Sequence, residues 1–176
     1  VGSCGAITPE ADIGDLIISS GAVRQEGTSK EYVREDYPAV ANHAVVSALI
    51  AASEECGYDY HVGLTCSTDS FYAGQSRPGF GGFEAAGSEE RIDALRDAGV
   101  LNFEMEASVI MTLANLYGLR AGAVCTVFAN RETGEFKTEG EGKAVEVASR
   151  AVAILAEMDA AVEEAEADRW HAGLSR

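Results

Sequence analysis

Hydrophobic and polar positions along the chain follow two periods in alternation, one of two residues and one of three to four. The run DLIISSGAV from Asp15 to Val23 is rich in β-forming residues and bounded by turn formers, which predicts a strand. Ala41, Val45, Ala48, Leu49 and Ala52 fall at helical spacing and predict an amphipathic helix ending near Gly57. From Tyr60 to Ser67, Val62, Leu64 and Cys66 alternate with His61, Gly63 and Thr65, so a second strand is expected there. The stretch STDSFYAGQSRPGFGGFEAAG that follows is polar, glycine-rich and too long for a plain connection in a compact domain.

Ser88 is placed to cap a helix whose first turn carries Glu89 and Glu90, acids that suit the positive end of the helix dipole. A short strand from Val100 to Phe103 runs into the acidic pair Glu104 and Glu106. Ala107, Ile110, Met111 and Ala114 mark a helix apolar on nearly all sides, as expected of one buried in the core, ending at Gly118. AGAVCTVFAN, from Ala121, reads as a buried strand, and a last helix carries Val145, Ala148, Val152 and Leu155 on one face. Strands thus alternate with helices, the α/β pattern in which functional loops gather at the carboxyl ends of strands.

At 47% hydrophobic, the 176 residues can bury one sizeable core. It is expected over residues 2–158, with 159–176 as an acidic, solvated helical tail. The formal net charge is −16, from 29 acidic against 13 basic residues. No basic stripe exists to neutralise backbone phosphates, which speaks against nucleic-acid binding. An acidic surface with only three lysines (Lys30, Lys137, Lys143) fits a halophile's salt-screened cytoplasm as well as an ordinary acidic cytosolic protein. No apolar run is long enough to cross a bilayer and no signal peptide opens the chain, so a cytoplasmic protein without a membrane partner is expected. Cys4, Cys56, Cys66 and Cys125 lack the paired spacing of a zinc site and read as reduced, mostly buried thiols, so no metal is expected. His43, His61 and His171 have no partners by spacing and read as structural or surface residues.

Four constellations carry candidate chemistry. Gly2-Ser3-Cys4-Gly5 reads as a turn whose glycines let backbone N–H groups and the Ser3 hydroxyl approach an anion, or as a plain tight turn. Phe71, Gln75 and Arg77 bring a planar aromatic, an amide and a guanidinium fork into one loop. Those are the parts needed to stack on and hydrogen-bond a flat heterocycle bearing carbonyls, although a solvated loop whose arginine pairs with an acid would look the same. In Glu104-Met105-Glu106, one carboxylate can accept from a ribose diol while the methionine walls the sugar, or the acids can simply favour the start of the next helix. Asn130-Arg131 closes the buried strand at the same carboxyl edge of the sheet, or forms a turn with a surface salt bridge.

In order and spacing, GSCGAI, STDSFYAGQSR, NFEMEAS and VFANR together resemble the nucleoside phosphorylase family, from Gly2 to about Leu155. The resemblance implies a central mixed β-sheet partly curled into a barrel and flanked by helices, assembled from dimers into hexamers. It also implies phosphorolysis of uridine to uracil and ribose 1-phosphate, with inorganic phosphate as co-substrate and no cofactor. By matching position Ser3 would contact phosphate, Phe71 would stack near the base, and Gln75 with Arg77 would hold the pyrimidine carbonyl and imide edge. Met105 would line the sugar and Glu106 would bind the ribose 2′-hydroxyl with Glu104 beside it. Phe128 and Ala129 would line the base pocket and Arg131 would assist at the base carbonyl, so Arg77, Glu106 and Arg131 are the catalytic candidates.

Purine-cleaving members of that family place an aspartate near the last strand end. Ala129-Asn130-Arg131 has none, so pyrimidine is expected over purine. A purine phosphorylase or nucleosidase on the same scaffold, and a nucleoside-binding protein without turnover, are the alternatives. The family's other phosphate ligands, a glycine and arginines, lie ahead of the position of Val1 or in a neighbouring subunit. The 176 residues are therefore expected to lack amino-terminal strands, to leave sheet edges open, and to be inactive by themselves.

Overall fold

The computed structural model describes residues 1–174, apart from the side chain of Glu89, and has a mixed α/β fold. The first-turn role expected of Glu89 and the last two positions of the tail lie outside the described residues. Six strands, β1 (Gly2–Ala6), β2 (Leu16–Gln25), β3 (Ala39–Val40), β4 (Tyr60–Thr68), β5 (Val100–Glu104) and β6 (Ala123–Asn130), pair in the order β3-β2-β4-β5-β1-β6. A further pairing of β2 with β6 closes all but β3 into a ring, so the open edges expected from the sequence are found only in part, at β3 and where Gly2 to Cys4 of β1 run past the end of β5. The length of β2 permits the closure. Its first half, Leu16–Ser19, pairs with β6, whereas Gly21 and Ala22 pair with β3 after a register shift against β4. Glycine suits the crossing point, since a Cβ on Gly21 would stand 3.1 Å from the Ala39 carbonyl oxygen.

Gly2–Ala6 corrects the sequence reading most sharply: it is no turn but strand β1, parallel to β6 and antiparallel to β5. Glycine is a poor strand former, and ladder partners on both sides override its preference. The directions of the strands bring a second correction. Because β6 runs antiparallel to the direction of β4 and β5, Asn130 ends its strand beside Ala6 and Asn102, at the opposite edge from Thr68 and Glu104.

β2 is buried on both faces, which is why its apolar residues run on without alternation. Leu16 and Ile18 pack with helices α1 (His43–Cys56) and α4 (Glu141–Glu164), while Ile17 packs with Cys4, Ala6, Cys125 and Val127. α1 is capped by the Asn42 side chain, which accepts from Ala44 N and Val45 N, and ends at Gly57 in the left-handed conformation. Helix α2 (Ser88–Asp97) is not capped by Ser88. Gly87 occupies the cap position and the Ser88 hydroxyl donates instead to the Ala85 carbonyl at 2.5 Å.

Helix α3 (Ala107–Leu116) buries Ala107, Ser108, Met111, Thr112 and Ala114 but exposes Ile110 and Leu116, so it is half-buried rather than enclosed. On α4 the buried face is Ala144, Val147, Ala151, Ile154 and Met158, while Val145 and Val152 point to solvent. That helix is apolar at so many successive positions that periodicity alone placed the stripe one residue off. Contact with α1 decides the register. Val62 and Leu64 are likewise exposed on β4, whose burial begins only at Thr65.

The tail is helical only through Glu164, and the chain then turns back so that Trp170 packs on the α1–α4 cluster. His43 Nε2 donates to the Trp170 carbonyl at 3.0 Å, and His61 Nε2 donates to Asp15 Oδ2 at 3.0 Å, partners far away in sequence.

Cys4, Cys66 and Cys125 are free and buried, as expected, and Cys56 is partly exposed. Burial, with Glu104 nearby, pushes Cys66 and Cys125 up to about 12 from the ordinary 9.0, and burial raises Cys4 well above it. At pH 8 an alkylating reagent is therefore expected to label Cys56 first, with the other three reacting only on unfolding, as mass spectrometry of the peptides would record. Unfolded thiols ionise near 9 and these folded ones well above it. The stability they contribute is complete below pH 9 and is lost as pH rises toward 12, so the melting temperature should begin to fall above pH 9.

Candidate active site

A cavity of about 560 Å³ runs along β1 and β6, walled by the loop after β4, the β5–α3 junction and Phe136. Of the residues singled out from the sequence, Ser3, Phe71, Gln75, Arg77, Glu104, Met105, Glu106, Phe128 and Ala129 all line it. Arg131 does not. Four segments far apart in the chain are thus brought to one space of the size that small ligands occupy.

At one end the Arg77 guanidinium lies over the Phe71 ring, 4.5 Å from its centroid, and Phe71 meets Tyr72 edge-on. Arg77 Nη2 also passes close over Gly5, where a Cβ would stand 3.4 Å away. Its Nε is buried without a hydrogen-bond partner among the described residues. Burial, and then the like charge of Arg131, lower its affinity for its proton, although a guanidinium remains a cation. Gln75 is buried beside it, and its side-chain amide makes no hydrogen bond among the described residues. The loop therefore offers a charged fork and an amide, both without hydrogen-bond partners among the described residues, above an aromatic face.

Arg131 is relocated by the structure from the cavity to the back of this loop. Its Nη1 donates to the Gln75 carbonyl at 2.7 Å and its Nη2 to the Ser76 carbonyl at 2.9 Å. Between them Ser76 holds a left-handed φ of 54°, unusual for a residue with a Cβ. Such a conformation costs on the order of 1–3 kcal/mol, which the arginine fork offsets by pinning the carbonyls on either side. The kink lets Gln75 and Arg77 both face the cavity.

At the other end β5 stops at Glu104 and the chain bends into α3. Glu104 is buried, and both oxygens are occupied: one accepts from the Ser67 hydroxyl, the other from Glu106 N at 2.8 Å and Ala107 N at 2.7 Å. It lines the cavity, but its oxygens are spent on the Ser67 hydroxyl and on N–H groups at the start of α3 rather than left open to a ligand. Glu106, by contrast, is exposed with no side-chain partner among the described residues, and Met105 is half-buried between the two.

Ser3 exposes its hydroxyl at the same end. Within β1 only Gly5 and Ala6 pair with β5, so on that side Gly2 to Cys4 have no strand partner among the described residues and their backbone is open to a ligand. Asn130, although next to Arg131, is fully engaged. Its Nδ2 donates to the Thr8 and Ala11 carbonyls at 3.1 and 2.8 Å, and its Oδ1 accepts from Glu132 N and Thr133 N.

Several lining residues escaped the sequence reading. Phe136 reaches the cavity because its backbone bridges to Ala129, and Ile110 because α3 leaves that face uncovered. Cys4, Cys125 and Ala123 line it as strand residues. An aromatic five residues after the Asn130-Arg131 turn was the one available signal, and it had no periodic context. Among the described residues no group of three or more His, Cys, Asp or Glu could hold a metal ion, and no helix is long and apolar enough to cross a membrane.

The Phosphorylase superfamily matches residues 1–162. The chain is 58% identical, over 99% of its length and 63% of the relative's, to a uridine phosphorylase from Thermococcus kodakarensis. It is 38% identical over 89% of its length to a uridine phosphorylase from Haemophilus influenzae, covering 62% of that protein. It is also 38% identical over 77% of its length to a guanosine phosphorylase from Halorubrum lacusprofundi, covering 51% of it. The chain thus spans half to under two-thirds of the length of these curated relatives.

Proposed function

The chain belongs to the Phosphorylase superfamily, and we propose that the protein carrying it splits uridine with inorganic phosphate into uracil and ribose 1-phosphate. One observation carries this reading: the stacked Arg77 and the Gln75 amide share a single cavity with the unpartnered carboxylate of Glu106. Uracil leaves as an anion delocalised onto its carbonyl oxygens, and donors already aimed at it need no reorganisation when that charge develops. Glu106 accepts from the ribose 2′-hydroxyl, and Ser3 with the open backbone of β1 contacts phosphate on the far side of the anomeric carbon. The sugar carries oxocarbenium character in the transition state, and no covalent intermediate or cofactor is required.

Arg77 is the only lysine or arginine among the described residues that line the cavity. Phosphate therefore draws its remaining cations from outside these residues, in keeping with a dimer-based hexamer, and the 176 residues alone turn over uridine negligibly. The acidic balance suits a salt-rich cytoplasm.

Incubating the complete protein with uridine, with and without phosphate, tests the reaction. Ribose 1-phosphate formed only with phosphate supports it; free ribose in either case means a hydrolase. The likeness to a guanosine phosphorylase favours a second reading, phosphorolysis of purine nucleosides, and guanosine in the same assay separates the two. Glu106→Gln is expected to penalise uridine about tenfold or more and 2′-deoxyuridine much less, since the latter never makes that hydrogen bond. Equal losses in kcat/KM for the two substrates would place Glu106 elsewhere.

A further inference from the structure

We propose that the buried Glu26 is a positioning residue for the ribose-binding carboxylate of Glu106, acting through Ser108, Ser67 and Glu104. The proposal rests on the reading of Glu106 as the ribose ligand. Glu26 follows the end of β2, is 1% exposed and does not line the cavity. Its carboxylate accepts from Ser29 N at 2.9 Å, from the Ser29 hydroxyl, and from the Ser108 hydroxyl at 2.9 Å. Among the described residues no ion pair neutralises it, for Arg24 directs its Nε to the Ser29 hydroxyl at 2.8 Å instead. Burial alone would raise the Glu26 carboxyl, yet the donors from Ser29, Ser108 and Thr28 outweigh it and the net shift is downward. A charged acid is thereby held inside the protein by hydrogen bonds alone, which is costly unless its geometry serves a purpose.

From Glu26 the hydrogen bonds continue to the active site without a gap. Ser108 donates its hydroxyl to Glu26 and its N–H to Ser67 Oγ at 2.9 Å. The Ser67 hydroxyl donates to one oxygen of Glu104, whose other oxygen takes the N–H groups of Glu106 and Ala107. The first turn of α3 is therefore pinned from both sides, by Glu104 through the N–H groups of Glu106 and Ala107 and by Glu26 through the Ser108 hydroxyl. Glu106 has no side-chain partner of its own among the described residues, so its direction is inherited from this backbone. A shift of about 1 Å at a substrate-orienting group can cost on the order of a hundredfold in rate. Removing Glu26 releases one of the two anchors.

In the complete protein, Glu26→Gln and Ser108→Ala are compared with the unaltered enzyme for kcat/KM and for calorimetric affinity, using uridine and 2′-deoxyuridine. Glu26→Gln is expected to lower kcat/KM for uridine about tenfold or more and that for 2′-deoxyuridine by less than about threefold, narrowing the preference for the ribonucleoside. Ser108→Ala removes one hydrogen bond and should narrow it in the same sense by a smaller factor. It carries the test if Glu26→Gln does not fold. In a Glu106→Gln background Glu26→Gln should leave the ratio of the two substrates unchanged. Equal losses on both substrates, no loss, or the same narrowing without the Glu106 carboxylate would overturn the proposal. Lack of ribose 1-phosphate from the unaltered protein would instead sink the proposed reaction, while the ratio of binding affinities would still decide the role of Glu26. An unaltered protein that binds both nucleosides alike would remove Glu106 from the ribose and the proposal with it.

Discussion

Replacing Arg77 by alanine is expected to lower uridine turnover on the order of a hundredfold, the usual cost of one donor aimed at charge developing in the transition state. Three features make Arg77 such a donor. Its Nε is buried without a hydrogen-bond partner among the described residues, its guanidinium is held over Phe71, and its loop is kinked toward the cavity at Ser76. The group is thus preorganised, and its charge is partly shielded from water, where each hydrogen bond to an anion is worth more. The loss should fall on kcat with uridine while the KM for phosphate changes little, because phosphate is assigned to the other end of the cavity. Lysine should restore only a small part, since it has neither the planar fork nor the flat face that stacks on Phe71. Steady-state kinetics with each substrate varied in turn decides the matter, and unaltered uridine kinetics in Arg77→Ala would remove the residue from the base site.

Asn130→Asp is expected to destabilise the fold by about 3 kcal/mol or more without conferring activity on purine nucleosides. The position lies in the strand-end segment Ala129-Asn130-Arg131, near which the resemblance implies an aspartate in purine-cleaving members, so from sequence alone the change looks like a switch of specificity. In the structure the side chain is 3% exposed and all four of its hydrogen-bonding positions are taken by backbone groups. A carboxylate would turn an oxygen toward the Thr8 and Ala11 carbonyls, replacing two attractions by two repulsions in a site closed to water. In a domain of this size the loss corresponds to a fall of roughly 10 °C in melting temperature. Thermal melts, together with guanosine and inosine assays below the transition, test both halves. A stable variant with new purine turnover would show that Asn130 can leave its backbone partners and reach the base.

The parts of the fold legible in the sequence were those governed by local rules. Gly57 ends α1 because a left-handed glycine acts within one turn, and the alternation of β4 spans only a few residues. GSCGA failed that test, since its strand state comes from β5 and β6, about a hundred residues away. The stripe on α4 failed by one position because its apolar residues are too many for periodicity to choose among. Only packing on α1 and the barrel selects Val147 over Val145.

By itself the sequence determined the chemical inventory of the site. An aromatic, an amide and a guanidinium within one short loop, and two carboxylates flanking a methionine at a strand end, are covalent neighbours whose functional groups no folding can change. Only the tertiary structure decided which of them remain free to meet a ligand. Glu104 is consumed by N–H groups at the start of α3 while Glu106, two residues on, stays open, and Arg131 spends its fork on the carbonyls of Gln75 and Ser76 while Arg77 keeps a buried donor unpaired among the described residues. The physical reason is that a polar group removed from water must find partners, and its partners here lie across the ring of strands, at separations along the chain that no local pattern records.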